Sequence, residues 1–213
     1  MKDSTDIIVI LDRSGSMSSI QKDTEGGFDT FIHEQQKIEG EANVCLYQFD
    51  DQYDVVYENK PIQDVPPMQL VPRGWTALLD AVGKTIQSRG EYYASLPEDQ
   101  RPERIVFVII TDGEENRSTE YTLETVKGMI TTQQSVYNWQ FVFLGADIDA
   151  VSVAGGLGIS RGSSMDFGKN AKGVGNTYIS LCTSVSGYRS KTSDSIVFTD
   201  ADRSSAMGND VIT

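Results

Sequence analysis

Three short apolar runs constrain the fold of this chain more than any other feature: Ile7 to Leu11, Ile105 to Ile110 and Phe141 to Leu144. Each is rich in β-branched or aromatic residues, and each is continuous rather than alternating. A strand with one wet face alternates, so continuous runs indicate strands covered on both faces, as in a parallel sheet between two layers of helix. A fourth run, Val44 to Phe49, is followed by Asp50-Asp51-Gln52 and then by Tyr53 to Tyr57. So short a link permits only an antiparallel hairpin, so one strand runs against the rest. Helical stripes lie between the strands. Phe28, Phe31, Ile32 and Ile38 share one face, and Leu78, Leu79, Val82, Ile86 and Tyr93 share another. Val126, Met129 and Ile130 form a third, with Ser118-Thr119 as its expected cap, and Val174, Tyr178, Leu181, Cys182 and Val185 form a fourth. A short helix near Ile148 to Ala154 is expected to end at Gly155-Gly156. Strands alternating with helices predict an α/β, doubly wound, mostly parallel sheet with helices on both faces.

The 213 residues and 38% hydrophobic content suffice for one compact domain, expected over residues 1–188. Residues 189–213 turn Ser/Asp/Gly-rich and predict a loosely held tail with one apolar patch, Ile196-Val197-Phe198, that either adds a strand or docks on a partner. Pro61 to Trp75 reads as a long ordered loop, and Pro97 to Arg104 as a charged surface connection. The net charge of -13 speaks against nucleic acid and against an anionic membrane surface, which both require clustered Lys and Arg. The first apolar run is too short for a signal-peptide core or a membrane span, so the expectation is a soluble cytoplasmic protein. Cys45 and Cys182 both sit in apolar runs and read as two buried free thiols. The single histidine, His33, reads as a solvated helix position, which leaves no material for zinc chemistry or a His-based triad.

The chemistry gathers at the ends of two strands. The first ends in Asp12-Arg13-Ser14-Gly15-Ser16-Met17, and the run Ile105 to Ile110 ends in Thr111-Asp112-Gly113-Glu114-Glu115-Asn116. Thr76 follows Arg73-Gly74-Trp75 at the start of a helix. In open α/β sheets ligands bind beyond the carboxyl ends of the strands, where strand order reverses. If these two strands are neighbours, Asp12 and Asp112 converge. Asp12, Ser14, Ser16, Thr76 and Asp112 offer only oxygen donors, which suit a hard cation, Mg²⁺ with Mn²⁺ or Ca²⁺ as alternatives. Three neutral hydroxyls compensate little of the ion's charge, so an open position on it favours an anionic oxygen from outside.

Asp12-x-Ser14-x-Ser16, with Thr76 and Asp112 downstream in that order, resembles the metal-ion-dependent adhesion site of von Willebrand factor A domains. The phrases LDRSGSM and TDGEEN are similar to that family's usual wording, and the resemblance runs from about Asp6 to Tyr188. It implies a six-stranded sheet in the order 3-2-1-4-5-6 with the third strand antiparallel. It also implies that Ser14, Ser16 and Thr76 give hydroxyl oxygens to the ion while Asp12 and Asp112 act directly or through water. A stand-alone intracellular member of the family is the expected type.

Each motif alone has an ordinary explanation. Ser-Gly-Ser after a strand is commonly a turn with a helix cap, Asp112-Gly113 a loop start, and Thr76 a cap. Taken jointly, the five donors predict a metal site, rimmed by Met17, Arg73, Trp75 and Glu115. Trp75 is either an exposed anchor or a ring packed beneath its loop. Three functions follow from these residues. The first is a non-enzymatic module, monomeric or weakly self-associating, that binds an Asp or Glu of a protein partner through the ion. The second is a Mg²⁺-dependent phosphohydrolase, which needs an acid where Ser14 stands and a lysine that no motif supplies. The third is an assembly component whose ion stabilises the loops.

Overall fold

The computed structural model describes residues 3–208. Its strands are β1 (Ser4–Asp12), β2 (Glu41–Phe49), β3 (Tyr53–Pro61), β4 (Arg104–Thr111), β5 (Gln140–Ala146) and β6 (Ser164–Phe167). They form one sheet in the order β3-β2-β1-β4-β5-β6. All pairings are parallel except β2 with β3, so the antiparallel strand lies at an edge, as the short hairpin link requires. β6 is only four residues long, Ser-Met-Asp-Phe, in a Ser/Gly-rich stretch that gives no apolar run of its own.

The helices are α1 (Gln21–Gln35), α2 (Leu78–Ser95), α3 (Leu123–Tyr137), α4 (Ala150–Gly156), α5 (Ala171–Arg189) and α6 (Asp200–Ala206). The continuous apolar runs divide by residue parity into two cores. Ile7, Val9 and Leu11 face Phe28 and Phe31 of α1 and Tyr178 and Leu181 of α5. Ile8 and Ile10 face Leu78, Val82 and Ile86 of α2 and Val126 and Ile130 of α3. Full burial of each such side chain contributes about 1.5–3 kcal/mol. That double coverage is why the strands do not alternate in polarity.

Several local expectations give way to the structure. α1 ends at Gln35, which leaves Ile38 in the following turn. α3 starts at Leu123, where the Thr122 side chain accepts the Thr125 N–H at 3.2 Å. The predicted cap, Ser118-Thr119, lies upstream because the buried Asp80 carboxylate accepts the N–H groups of Thr119, Glu120 and Tyr121 at 2.9, 2.9 and 2.8 Å and holds that segment as a loop. Both cysteines are free, but only Cys45 is fully buried; Cys182 is half-buried at the edge of its core. His33 is exposed.

The loosely held tail is also corrected for residues 190–208; residues 209–213 lie outside the described residues. Ile196, Phe198 and Ala206 are buried in the same core as α1 and α5. Phe198 N donates to Gly162 O at 2.8 Å, and Ser163 Oγ donates to Ile196 O at 2.9 Å. Thr199 and Asp202 form a capping box that starts α6, and Arg203 donates to the carbonyls of Ser164 and Arg161. Two of the three residues of the apolar patch, Ile196 and Phe198, therefore face inward, and Val197 between them is exposed.

The opposite end of the sheet is closed by a buried network. Arg89 is 1% exposed, lies 3.6 Å from Asp6 and packs over the rings of Tyr92 and Tyr93. An aromatic pocket of about 490 Å³ lined by Tyr93, Arg101, Tyr137 and Trp139 is also at that end and shares no residue with the strand-end motifs. Among the described residues no helix is long and apolar enough to cross a membrane.

Candidate metal centre

Strand order reverses between β1 and β4, which pair directly with Leu11 opposite Ile110. Asp12 and Thr111 therefore end neighbouring strands, and Thr111 Oγ1 donates to Asp12 Oδ2 at 2.6 Å. The other carboxylate oxygen, Asp12 Oδ1, accepts Ser14 N at 2.6 Å and bends the chain away from the sheet. A 3₁₀ turn follows at Gly15–Ile20, and Ser14 gives it no side-chain cap. The Ser14 and Ser16 hydroxyls instead lie 3.0 Å apart and donate to Asp112 Oδ1 at 3.4 and 2.7 Å.

Thr76 likewise does not cap α2, whose cap position is Ala77. Thr76 N donates to Asn116 Oδ1 and Asn116 N donates to Thr76 O, both at 3.0 Å, so this reciprocal pair clamps the Thr76 backbone to the loop after β4. A Cβ added at Gly113 would lie 2.8 Å from Thr76 Oγ1. The hydroxyl thus faces the Asp112-Gly113 turn, and glycine leaves it the room. All five sequence-predicted donors lie around this one point: Asp12, Ser14, Thr76 and Asp112 are buried, and Ser16 is exposed at the mouth.

The loops are braced from behind by a residue that the sequence reading passed over. Asp50 is fully buried and its Oδ2 accepts Arg13 Nε at 2.9 Å and Arg73 Nε at 2.8 Å. Its carbonyl accepts Ala77 N at 2.9 Å. Burial alone raises the Asp50 carboxyl, but the bonds from Arg73, Gln52 and Arg13 outweigh it and hold the group below its ordinary value. Gly74, at φ +68°, accepts Gly15 N at 3.3 Å and so joins the two serine-bearing and threonine-bearing loops. Asp50 was readable in one respect: like Asp112 it follows directly on a buried strand.

The predicted rim is only partly a rim. Met17 is 0% exposed and belongs to the core with Ile20 and Phe28, because the 3₁₀ turn points it under the loop. Glu115 is committed to the backbone: its oxygens accept Leu79 N, Arg117 N and Ser118 N at 2.6 to 2.8 Å. Arg73 is half-exposed, with its guanidinium pinned between Asp50 and Gln52. Trp75 is 62% exposed, so its ring stands in solvent and is not packed beneath the loop.

Among the described residues no three His, Cys, Asp or Glu side chains gather as a metal site, so an ion here would depend on hydroxyls beside two carboxylates. The donors fit a hard cation on one further observation. Asp112 Oδ2 is buried and accepts no hydrogen bond, which leaves its charge to be met by cations. The Lys169 ammonium, from the turn after β6, lies 2.8 Å from that oxygen at ion-pair distance but off a hydrogen-bond direction. No motif pointed to Lys169. Burial pushes the Asp12 carboxyl up to about 6, against the bonds from Thr111 and Ser14, and the nearby Asp112 charge adds to the rise. A group poised this way gains from a cation that favours its charged form.

Comparison with known proteins bears on the fold. No protein-family model and no curated protein matches the sequence. Among solved structures, the chain is similar to a von Willebrand factor type A protein from Catenulispora acidiphila (14% identity, TM-score 0.59, 86% of this chain and 43% of that one). It is similar to the ArnB paralog VWA2 from Sulfolobus acidocaldarius (17% identity, TM-score 0.53, 83% and 44%). It is also similar to the vWF domain of the type V pili tip protein Mfa5 from Porphyromonas gingivalis (9% identity, TM-score 0.59, 85% and 94%). The chain thus spans less than half the length of the first two and nearly all of the third.

Proposed function

We propose that this chain, which has the von Willebrand factor A fold, is a binding module and not an enzyme. In this reading Asp12, Ser14, Ser16, Thr76 and Asp112 hold one divalent cation, Mg²⁺ in the first instance, and the ion takes an acidic side chain of a protein partner. The observation behind it is the meeting of three loops on oxygen donors around the buried Asp112 carboxylate, whose Oδ2 is met by the Lys169 ammonium and by no hydrogen-bond donor. A bound Mg²⁺ would supply an electrophilic centre for an anionic oxygen. Ser16, Arg73 and Trp75 are exposed at the site, and Trp75 offers a partner an aromatic anchor. The overall charge of -13 repels acidic surfaces, so the partner's carboxylate is set among basic residues. Two free thiols suit a reducing compartment, in keeping with a cytoplasmic location.

The test is calorimetric titration of Mg²⁺ and Mn²⁺ into the wild type and Asp112→Ala, followed by partner capture in Mg²⁺ and in EDTA. Ion binding by the wild type alone, and capture lost in EDTA, are expected. Capture of a native partner that EDTA leaves untouched overturns the reading.

Lys169 lends some weight to the phosphohydrolase alternative, because it is a lysine beside the acids. It pairs with Asp112 and not Asp12, however, and Ser14 stands where a second acid is needed. Turnover of a generic aromatic phosphate, lost on Asp12→Asn, would establish that alternative.

A further inference from the structure

Lys169 occupies the turn between β6 and α5, and this turn is fixed on three sides. Lys169 N donates to Asp147 Oδ1 at 3.3 Å, and Asn170 Oδ1 accepts Gly173 N at 2.8 Å to cap α5. Gly168 N donates to Ala206 O at 3.0 Å, and a Cβ at Gly168 would lie 2.8 Å from Met207 O. The C-terminal segment is therefore packed directly against the residue before Lys169. The lysine side chain is 23% exposed and its Nζ rests 2.8 Å from a fully buried Asp112 carboxylate.

We propose that Lys169 is a resident counter-cation of the metal centre: it shares the Asp112 carboxylate with the divalent ion, weakens the ion's hold, and so makes ion and partner carboxylate bind together. This rests on the metal-site reading above. Two carboxylates and one ammonium leave the charged groups of the site with one net negative charge against a doubly positive ion. Repulsion between the ammonium and the ion acts where salt screens little, because Asp112 is buried. The assembled site carries excess positive charge, which an incoming carboxylate relieves. By linkage, whatever the ion contributes to carboxylate binding the carboxylate contributes equally to ion binding. The C-terminal segment contributes to this device, since Ala206 of α6 is one of the contacts that hold the turn.

The test is Mn²⁺ titration by calorimetry at neutral pH on wild type, Lys169→Met, Lys169→Gln and Lys169→Arg, with and without acetate as a carboxylate probe. Both neutral variants are expected to bind Mn²⁺ at least about tenfold more tightly, equal to about 1.4 kcal/mol. Lys169→Arg keeps the charge and should stay within about threefold of the wild type. Acetate should tighten Mn²⁺ binding more in the wild type than in Lys169→Met. If the wild type binds Mn²⁺ and the folded neutral variants bind it no better, the counter-cation role is overturned and the metal site stands. If neither wild type nor variants bind Mn²⁺, both fall. Using two neutral variants guards against one of them failing to melt cooperatively.

Discussion

Replacing Asp12 by Asn measures the cost of keeping a charge at the floor of the site. Burial is the main cause that lifts this carboxyl to about 6 from an ordinary 3.8. A raised value means that the folded chain prefers the protonated acid. The penalty is therefore absent below 3.8, grows as pH rises toward 6, and is complete above it. About two pH units correspond to roughly 3 kcal/mol as a ceiling. The amide replaces the carboxylate without stranding its neighbours. Asn Oδ1 keeps the Ser14 N–H, and Nδ2 donates to Thr111 Oγ1, whose own hydrogen turns to Gly113 O, 3.0 Å away. In EDTA at neutral pH, Asp12→Asn should therefore be more stable than the wild type by about 1–3 kcal/mol, roughly 2–10 °C in Tm for a chain of this size. In Mg²⁺ the order should reverse. The wild type gains about 2.7 kcal/mol at a hundredfold excess over Kd, and the neutral variant gains little. Scanning calorimetry in EDTA and in Mg²⁺, from acid to neutral pH, reads both effects. A wild type that outlasts the variant in EDTA at neutral pH, or a variant that gains as much from Mg²⁺, refutes the reasoning.

Three further outcomes follow from the braces and the rim. Asp50→Asn leaves Arg13 and Arg73 without their shared carboxylate and should cost about 3 kcal/mol together with Mn²⁺ affinity, measured by denaturant melts and calorimetry. Trp75→Ala should leave stability within about 0.5 kcal/mol and leave Mn²⁺ affinity unchanged, while partner capture in Mg²⁺ falls. Phe198→Ala removes a ring that is 6% exposed in the core and should destabilise by about 3 kcal/mol in a urea melt, whereas a loose tail would show no change.

The sheet was legible because burial on both faces writes itself into the sequence as unbroken apolar runs, and β1, β4 and β5 carry such runs. β6 was not, because four residues closing an edge carry no such signal. The candidate donors form a linear pattern: Asp12, Ser14 and Ser16 are near one another in sequence, and the structure brings the two serines to Asp112. Lys169 was invisible, since it reaches Asp112 from 57 residues further along by way of a turn that the C-terminal segment holds. The tail was misread for a related reason. Its Ser and Asp residues dilute the apolar signal, yet Thr199 and Asp202 bond to each other within it, and Ser163 from outside it donates to Ile196 O. Thr199-x-x-Asp202 is a capping signature that composition alone hides.

The division of the site into a buried floor and an open mouth has a consequence for how it evolves or can be engineered. Asp12, Ser14, Thr76 and Asp112 are buried, with Thr111 bonded to Asp12 and Asn116 to Thr76, so in the proposed reading the ion would be positioned by contacts that no partner touches. Ser16 and Trp75 are exposed, and neither Asp50 nor Asn116 bonds to their side chains. Changes at the floor or its braces should therefore alter both ion affinity and stability, with both lost for Asp50→Asn and affinity lost but metal-free stability gained for Asp12→Asn. Changes at Trp75 should move partner choice alone. Lys169 stands between the two groups, half-buried at ion-pair distance from Asp112, and under the counter-cation proposal its replacement should shift ion affinity without loss of the fold.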